Sequence, residues 1–250
     1  MSQRPLPNTP QNSLRNSPQY ALLAGATGLV GSELLKLLLA DARYAGVHCV
    51  GRRAPPVKHP KLVSHVVDLA DGAQLAKSLA ELLVELPAIG DIYCALGTTI
   101  KVAGSQAAFK AIDLDAVVAV AKAGAAKGAT RLGVVSAMAA DPKSGVFYNR
   151  VKGEMEAAVA QLDFKSVSIA RPSLLAGDRD ALKQATRLGE QIGLKLMAAV
   201  SFLIPANLKV IPAADVARAL HRMVTEGQPG VRIALSGELS ALSRLASGAG

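Results

Sequence analysis

Tyr20-Ala-Leu-Leu-Ala-Gly25-Ala-Thr-Gly28-Leu-Val-Gly31-Ser-Glu-Leu-Leu35 decides the fold: an apolar run, a glycine-rich turn, then apolar residues at helical spacing. A buried strand feeding directly into such a turn and helix is the context a dinucleotide-binding fingerprint needs. Each glycine answers a demand: a sharp turn, close approach of the backbone to a pyrophosphate, and close packing of helix on strand. The helix behind the turn offers unpaired N–H groups and the positive end of its dipole to a dianion. The spacing Gly-x-x-Gly-x-x-Gly is one residue off the most familiar form, and a tight connection without a ligand is the plainer alternative. Gly25, Thr27, Gly28, Leu29, Val30 and Gly31 are the expected cofactor contacts of this turn, Thr27 through its hydroxyl.

Past this helix a second strand, Val47-His-Cys-Val-Gly51, ends in Arg52-Arg53 and not in a carboxylate. An acidic residue there would accept hydrogen bonds from a free ribose 2′-hydroxyl, whereas guanidinium groups suit a 2′-phosphate, so the pair favours NADP(H) over NAD(H). An ordinary solvated basic turn is the alternative. Asp68, at the end of a third strand with Leu69 behind it, is placed either to reach the adenine edge or to cap a helix starting near Asp71.

The chain has 250 residues, half of them hydrophobic, enough for one large core. Alternating strand and helix patterns predict an α/β fold: one doubly wound parallel sheet of the Rossmann type in order 3-2-1-4-5-6, with a small C-terminal region covering its carboxyl edge. A net charge of +9 suits an anionic cofactor and permits loose association with an anionic membrane. Aromatic residues are only 3% and Trp is absent, which argues against stacking platforms for single-stranded nucleic acid, so no specific nucleic-acid partner is expected. Residues 1–17 read as a flexible tail, with a weak transit peptide as the alternative and no secretory h-region, ahead of a single domain over 18–250, and no apolar run is long enough to span a bilayer. Cys49 and Cys94 fall on strands separated by the first one, too far apart to pair, and read as reduced core thiols; a cytoplasmic protein is expected. The four His show no metal-ligand spacing, so no metal site is expected.

Downstream, Asp91 to Leu96 reads as the fourth strand, running into Gly97-Thr98-Thr99, a small-residue turn under the nicotinamide side of a bound cofactor. A long Ala-rich helix over 105–127, broken near Gly124 and Gly128, precedes a fifth strand over 131–137. A helix over 148–161 and a sixth strand over 166–170 follow, leading to Arg171-Pro172-Ser173. The remainder reads as an apolar helix near 187–203, a short strand at 209–211, a helix over 213–226, a last strand over 231–236 and a frayed end after Ser243. Leu96, Gly97, Thr98, Thr99 and Pro172 complete the expected cofactor contacts.

The catalytic candidates are Ser136, Tyr148 and Lys152. Tyr148 and Lys152 stand one helical turn apart on one face, where an ammonium is expected to lower the phenol's pKa and also to hold the nicotinamide ribose. Ser136, ending the fifth strand, would present its hydroxyl to a substrate oxygen. In carbonyl reduction such a phenol gives a proton to oxygen as hydride reaches carbon. Asn149 and Arg150 read as the solvated side of that helix, Asp178 and Asp180 as caps, and Arg171 as a structural ion-pair residue.

Six stretches carry a likeness to a known family: Gly25-Ala-Thr-Gly28-Leu-Val-Gly31, Cys94-Ala-Leu-Gly97-Thr-Thr99, Ala103-Gly-Ser105, Val135-Ser136, Phe147-Tyr148-Asn-Arg-Val-Lys152-Gly-Glu-Met-Glu156 and Arg171-Pro172-Ser-Leu-Leu-Ala-Gly177. In these the chain resembles atypical short-chain dehydrogenase/reductases, in particular the Tat-interacting-protein oxidoreductase-like family. The resemblance implies a Rossmann fold, NADP(H) binding and a Ser-Tyr-Lys site at Ser136, Tyr148 and Lys152, acting on a small-molecule carbonyl or alcohol. It departs from many relatives at Asp113, where they carry an Asn in a proton relay. A non-catalytic NADP(H)-binding regulator and a cofactor-retaining epimerase or dehydratase are the competing readings, and monomer and homodimer are both open.

Overall fold

The computed structural model describes residues 19–70, 72–176 and 205–247. In order, β1 (Gln19–Ala24), α1 (Leu29–Ala40), β2 (Tyr44–Gly51), β3 (Leu62–Val66), α2 (Gly72–Glu85) and β4 (Ile89–Cys94) form the first half. Two short helices, α3 (Ile100–Ala103) and α4 (Gln106–Lys110), lead through a π-helical turn at Ala111–Ala116 into α5 (Val117–Ala126). Then come β5 (Arg131–Val135), α6 (Phe147–Ala160), β6 (Ser166–Arg171), β7 (Leu175–Ala176), β8 (Ile211–Pro212), α7 (Ala213–Glu226), β9 (Gly230–Leu235) and α8 (Ser236–Ser247).

The main sheet has seven strands, all paired in parallel, in the order β3-β2-β1-β4-β5-β6-β9. The expected order holds, and the last strand extends it beside β6. Strand β1 lies inside the sheet between β2 and β4, and its residues Ala21 to Ala24 are apolar because they are buried on both sides. Ala21 and Leu23 face a core built with α1, α7 and α8, whereas Leu22 and Ala24 face the core under α2, α5 and α6. A separate two-stranded pairing joins β7 to β8. Cys49 and Cys94 are buried free thiols, as expected.

Three expectations change. The long helix is not uniform: it is interrupted by the π turn and does not break at Gly124, where Ile92 closes over the helix so tightly that a Cβ would lie 2.0 Å from its Cδ1. The expected break at Gly128 holds: the chain turns there with φ +91°. The end after Ser243 is not frayed through Ser247, because α8 seats Leu239 and Leu242 in the core and Ser243 both accepts from Arg218 (2.9 Å) and donates to Asp215 (3.0 Å). The expected tail over 1–17, the helix near 187–203 and the caps at Asp178 and Asp180 lie outside the described residues.

At the amino edge of the sheet, Asp91 is fully buried. Arg131 grips it through Nε at 2.5 Å and Nη2 at 2.9 Å, and the Tyr44 hydroxyl donates to it at 2.5 Å while lying 2.9 Å from the Tyr93 hydroxyl. The cluster ties β2, β4 and β5 together at the end of the sheet away from the site. Removing one partner of a buried pair strands the other's charge. Asp91→Ala should therefore lower the unfolding free energy by about 3–5 kcal/mol in a urea titration, and a loss within about 0.5 kcal/mol would contradict this account.

Candidate active site

Because all main-sheet strands run the same way, the turns after β1, β2, β4, β5 and β6 open on one rim, where open α/β sheets bind ligands. The three glycines of the first turn answer different constraints. Gly25 has φ +85°, and a Cβ there would lie 2.6 Å from the Ala95 carbonyl group. At Gly31 a Cβ would lie 1.9 Å from the Gly25 oxygen, so only glycine lets α1 pack on the turn. Gly28, the N-cap of α1, meets nothing closer than 3.4 Å. Its lack of a side chain is not demanded by the chain's own packing. No side chain caps α1, and its first turn holds no acidic residue, so the first N–H groups of the helix have no side-chain acceptor.

Arg52 and Arg53 follow β2 directly, are exposed and make no ion pair among the described residues. Asp68 Oδ1 accepts from the Ala70 N–H at 2.8 Å, a local turn bond that lies ahead of α2 and caps none of its N–H groups; Leu69 is buried. After β4, Leu96 is buried, Gly97 and Thr99 are exposed, and Thr99 caps α3 by accepting from the Val102 N–H. Pro172 is buried, and its carbonyl accepts from the Met138 N–H at 3.1 Å, joining the turns after β5 and β6.

Ser136 stands immediately after β5, its N–H bonded to the Ala170 carbonyl at 2.8 Å. Its hydroxyl is buried and has no hydrogen-bond partner among the described residues. Native interiors leave few such groups unpaired. Tyr148 and Lys152 occupy the first two turns of α6. The start of α6 is shaped by the loop before it: Ser144 Oγ accepts from the Val146 N–H, Arg150 Nη1 donates to the Ser144 carbonyl, and the Asp141 N–H donates to the Asn149 carbonyl. A Cβ on Gly153 would lie 2.2 Å from Asp141 and Pro142 backbone atoms, so glycine is what lets this loop press on the helix. Arg150 also stacks over Phe147, and Arg171 forms a two-pronged pair with Glu156, so both serve the scaffold.

Lys152 is 4% exposed, and its Nζ lies 2.7 Å from Asp113 Oδ1, on a carboxylate that is itself fully buried. The other oxygen, Oδ2, accepts from the Thr98 N–H at 2.9 Å. The π turn carries Asp113, and such bulges recur at functional sites. Tyr148 packs its ring against Phe109 with centroids 5.5 Å apart, and its hydroxyl makes no hydrogen bond among the described residues. The expected lowering of the phenol's pKa is not found. Burial pushes the Tyr148 phenol above its ordinary value, and Asp113 counters the opposite pull of Lys152. Sequence reading noted Asp113 only as a departure from a relay Asn. No local signal singles it out, because Asp115 stands two residues on in the same Ala-rich segment and is exposed.

A cavity of about 910 Å³ lies elsewhere, between α2 and α5, lined by small residues such as Ala76, Ala80, Ala119 and Ala123 and by none of the site residues. No group of His, Cys, Asp or Glu suited to a metal, and no helix long and apolar enough to cross a membrane, occurs among the described residues.

Among solved structures the chain is similar to the WbmG enzyme of Bordetella bronchiseptica in complex with NAD, with TM-score 0.60 and 16% identity over 93% of this chain and 78% of that one. A short chain dehydrogenase family protein of Francisella tularensis gives TM-score 0.61 and 14% identity over 89% and 99%. These likenesses establish the Rossmann-type fold. No family model matches the chain. In sequence it is similar to the mitochondrial protein FMP52-1 of Scheffersomyces stipitis, 32% identical over 65% of this chain and 70% of that protein. The mitochondrial FMP52 of Candida albicans is 29% identical over 83% and 89%. These names overturn the cytoplasmic expectation, which rested on reduced cysteines, and reduced thiols do not tell one non-oxidising compartment from another. The mitochondrial FMP52 of Chaetomium globosum is 33% identical over 70% of this chain and 77% of its own length, and the chain belongs to the FMP52 family.

Proposed function

We propose that this protein is an NADP(H)-dependent oxidoreductase that reduces a small carbonyl compound or oxidises the corresponding alcohol. The observation that carries the reading is the anchored Lys152 ammonium one helical turn from Tyr148, at the rim that also holds the glycine turn. The uncapped start of α1, the open side of Gly28 and the unpaired Ser136 hydroxyl all fit a bound dinucleotide and substrate. The solved WbmG and WbmF structures in complex with NAD support a nicotinamide cofactor, and the motif likeness to the Tat-interacting-protein oxidoreductase-like family supports the same chemistry. The relatives' names support a mitochondrial location. The described residues serve as one cofactor-binding domain.

A bound nicotinamide dinucleotide supplies a hydride to the substrate carbon, or accepts one in the reverse direction. Gly25, Thr27, Gly28, Leu29, Val30 and Gly31 cradle its diphosphate, and Arg52 and Arg53 pair with the 2′-phosphate. Asp68 and Leu69 border the adenine. Leu96, Gly97, Thr98, Thr99 and Pro172 line the nicotinamide side. Lys152 holds the ribose with the N–H groups that Asp113 does not take. Ser136 donates a hydrogen bond to the substrate oxygen, and Tyr148 passes its hydroxyl proton to that oxygen in reduction or takes it back in oxidation. The small and apolar residues of the nearby loops suit a modest hydrophobic substrate. A cofactor-retaining epimerase is the second reading, favoured by the likeness to MoeE5 in complex with UDP-glucose and NAD, and it would consume no NADPH.

Three outcomes test this. A titration following NADPH and NADH fluorescence should give tighter NADPH binding, and Arg52→Ser with Arg53→Ser should weaken NADPH by roughly tenfold or more while sparing NADH; tighter NADH binding would discard the NADP assignment. Gly28→Ala should unfold within about 1 kcal/mol of the parent yet lose cofactor affinity, whereas Gly31→Ala should lose stability outright. Tyr148→Phe should cut turnover in a carbonyl screen by roughly a hundredfold to ten-thousandfold with NADPH affinity nearly unchanged, and undiminished turnover would remove Tyr148 as the acid.

A further inference from the structure

Asp113 takes no proton in the reaction just described, yet the site is built around it. Its Oδ1 holds the Lys152 ammonium and its Oδ2 holds the Thr98 N–H, so one carboxylate joins α6 to the turn after β4. Gly97 closes over the pair: a Cβ there would lie 3.5 Å from Oδ1 and 3.8 Å from the Lys152 Nζ. The carboxylate reaches this place because the helix widens into a π turn at Ala111–Ala116.

Stability alone is a poor account of such a pair, since two desolvated charges are matched or bettered by apolar groups of similar volume. Position is the better account. A lysine ends in a mobile point charge on a four-carbon stem. Paired with Asp113 at 2.7 Å, the ammonium is kept beside that carboxylate while its other N–H groups can meet other acceptors.

Resting on the reading of Tyr148 as proton donor, we infer that Asp113 is a positioning residue: it fixes the Lys152 ammonium against the Gly97–Thr98 turn and screens that charge from Tyr148. The groups acting on the phenol are Lys152 from its own helix and Asp113 from the π turn. Cys94, at the end of β4, faces the pair with its thiol pushed up to about 11 by burial and so stays neutral. Lys110 and Glu154 pair with each other 3.5 Å apart, partly exposed, on α4 and α6. Burial holds the Asp113 carboxyl itself above its ordinary value, against Lys152 and the Thr98 N–H. The phenol accordingly lies above its ordinary value, with burial first and Asp113 opposing Lys152.

The test is a near-ultraviolet tyrosinate titration of the full chain, each protein measured against its own Tyr148→Phe counterpart so that the other three tyrosines cancel. Asp113→Asn should lower the Tyr148 midpoint by about one pH unit or more, because an ammonium that is no longer screened favours the phenolate. Asp113→Asn combined with Lys152→Met removes both charges, leaves a neutral pair that spares the fold, and should return the midpoint to within about half a unit of the parent. An unmoved midpoint in folded Asp113→Asn, or a rise of about one unit in the double variant, overturns the screening role. Should Asp113→Asn fail to fold, the double variant alone decides. NADPH binding to the same proteins separates the two claims: absent binding to the parent discards the cofactor reading and leaves the titration result standing. Normal binding with an unmoved midpoint discards the role of Asp113 alone.

Discussion

Backbone pressed on backbone at the first turn is the constraint from which the rest of the molecule follows. The Gly25 oxygen occupies the space a side chain at position 31 would need, and Gly25 itself abuts the carbonyl of Ala95. Strand β1, helix α1 and the turn after β4 are thereby locked in mutual contact, and none of these contacts tolerates a side chain. The phosphate end and the nicotinamide end of the proposed cofactor site are one rigid piece. The sheet's parallel pairing then delivers Ser136 and α6 to the same rim.

Within that frame the polar groups divide by edge. At the amino edge Asp91 accepts from both Arg131 and Tyr44, and the three hold strands together. At the carboxyl rim the Ser136 hydroxyl is buried and unpaired, the Tyr148 hydroxyl has no partner among the described residues, and α1 begins uncapped. Polar groups left unpaired at one end of a fold that pairs them at the other fit the dinucleotide and substrate proposed for that rim.

Much of this was legible in the sequence because strong local patterns carried it. The continuous apolar run of β1, the glycine turn and the sharply amphipathic helix over 213–226 each announce their burial. The Ala-rich stretch over 105–127 does not: when most side chains are equally small, periodicity cannot reveal which face is inward, and the π turn that aims Asp113 stays hidden. Helix α8 was missed for a related reason, since its segment SGELSALSRLAS mixes small, polar and apolar residues with little contrast. The proton affinity of Tyr148 was misjudged because the spacing Tyr148 to Lys152 is local, whereas the carboxylate that offsets the lysine arrives from another helix. Compartment leaves no imprint on core packing, and only the relatives correct it.

One feature of the architecture bears on how the molecule behaves at high concentration. Beyond β9 no further strand is present among the described residues, and Val231 and Ile233 stand exposed on it. An open, partly greasy strand is a template on which foreign chains can zip. Between those two residues sits Arg232, clamped by Glu226 and Glu238, a gatekeeper charge on an edge inclined to self-adhesion.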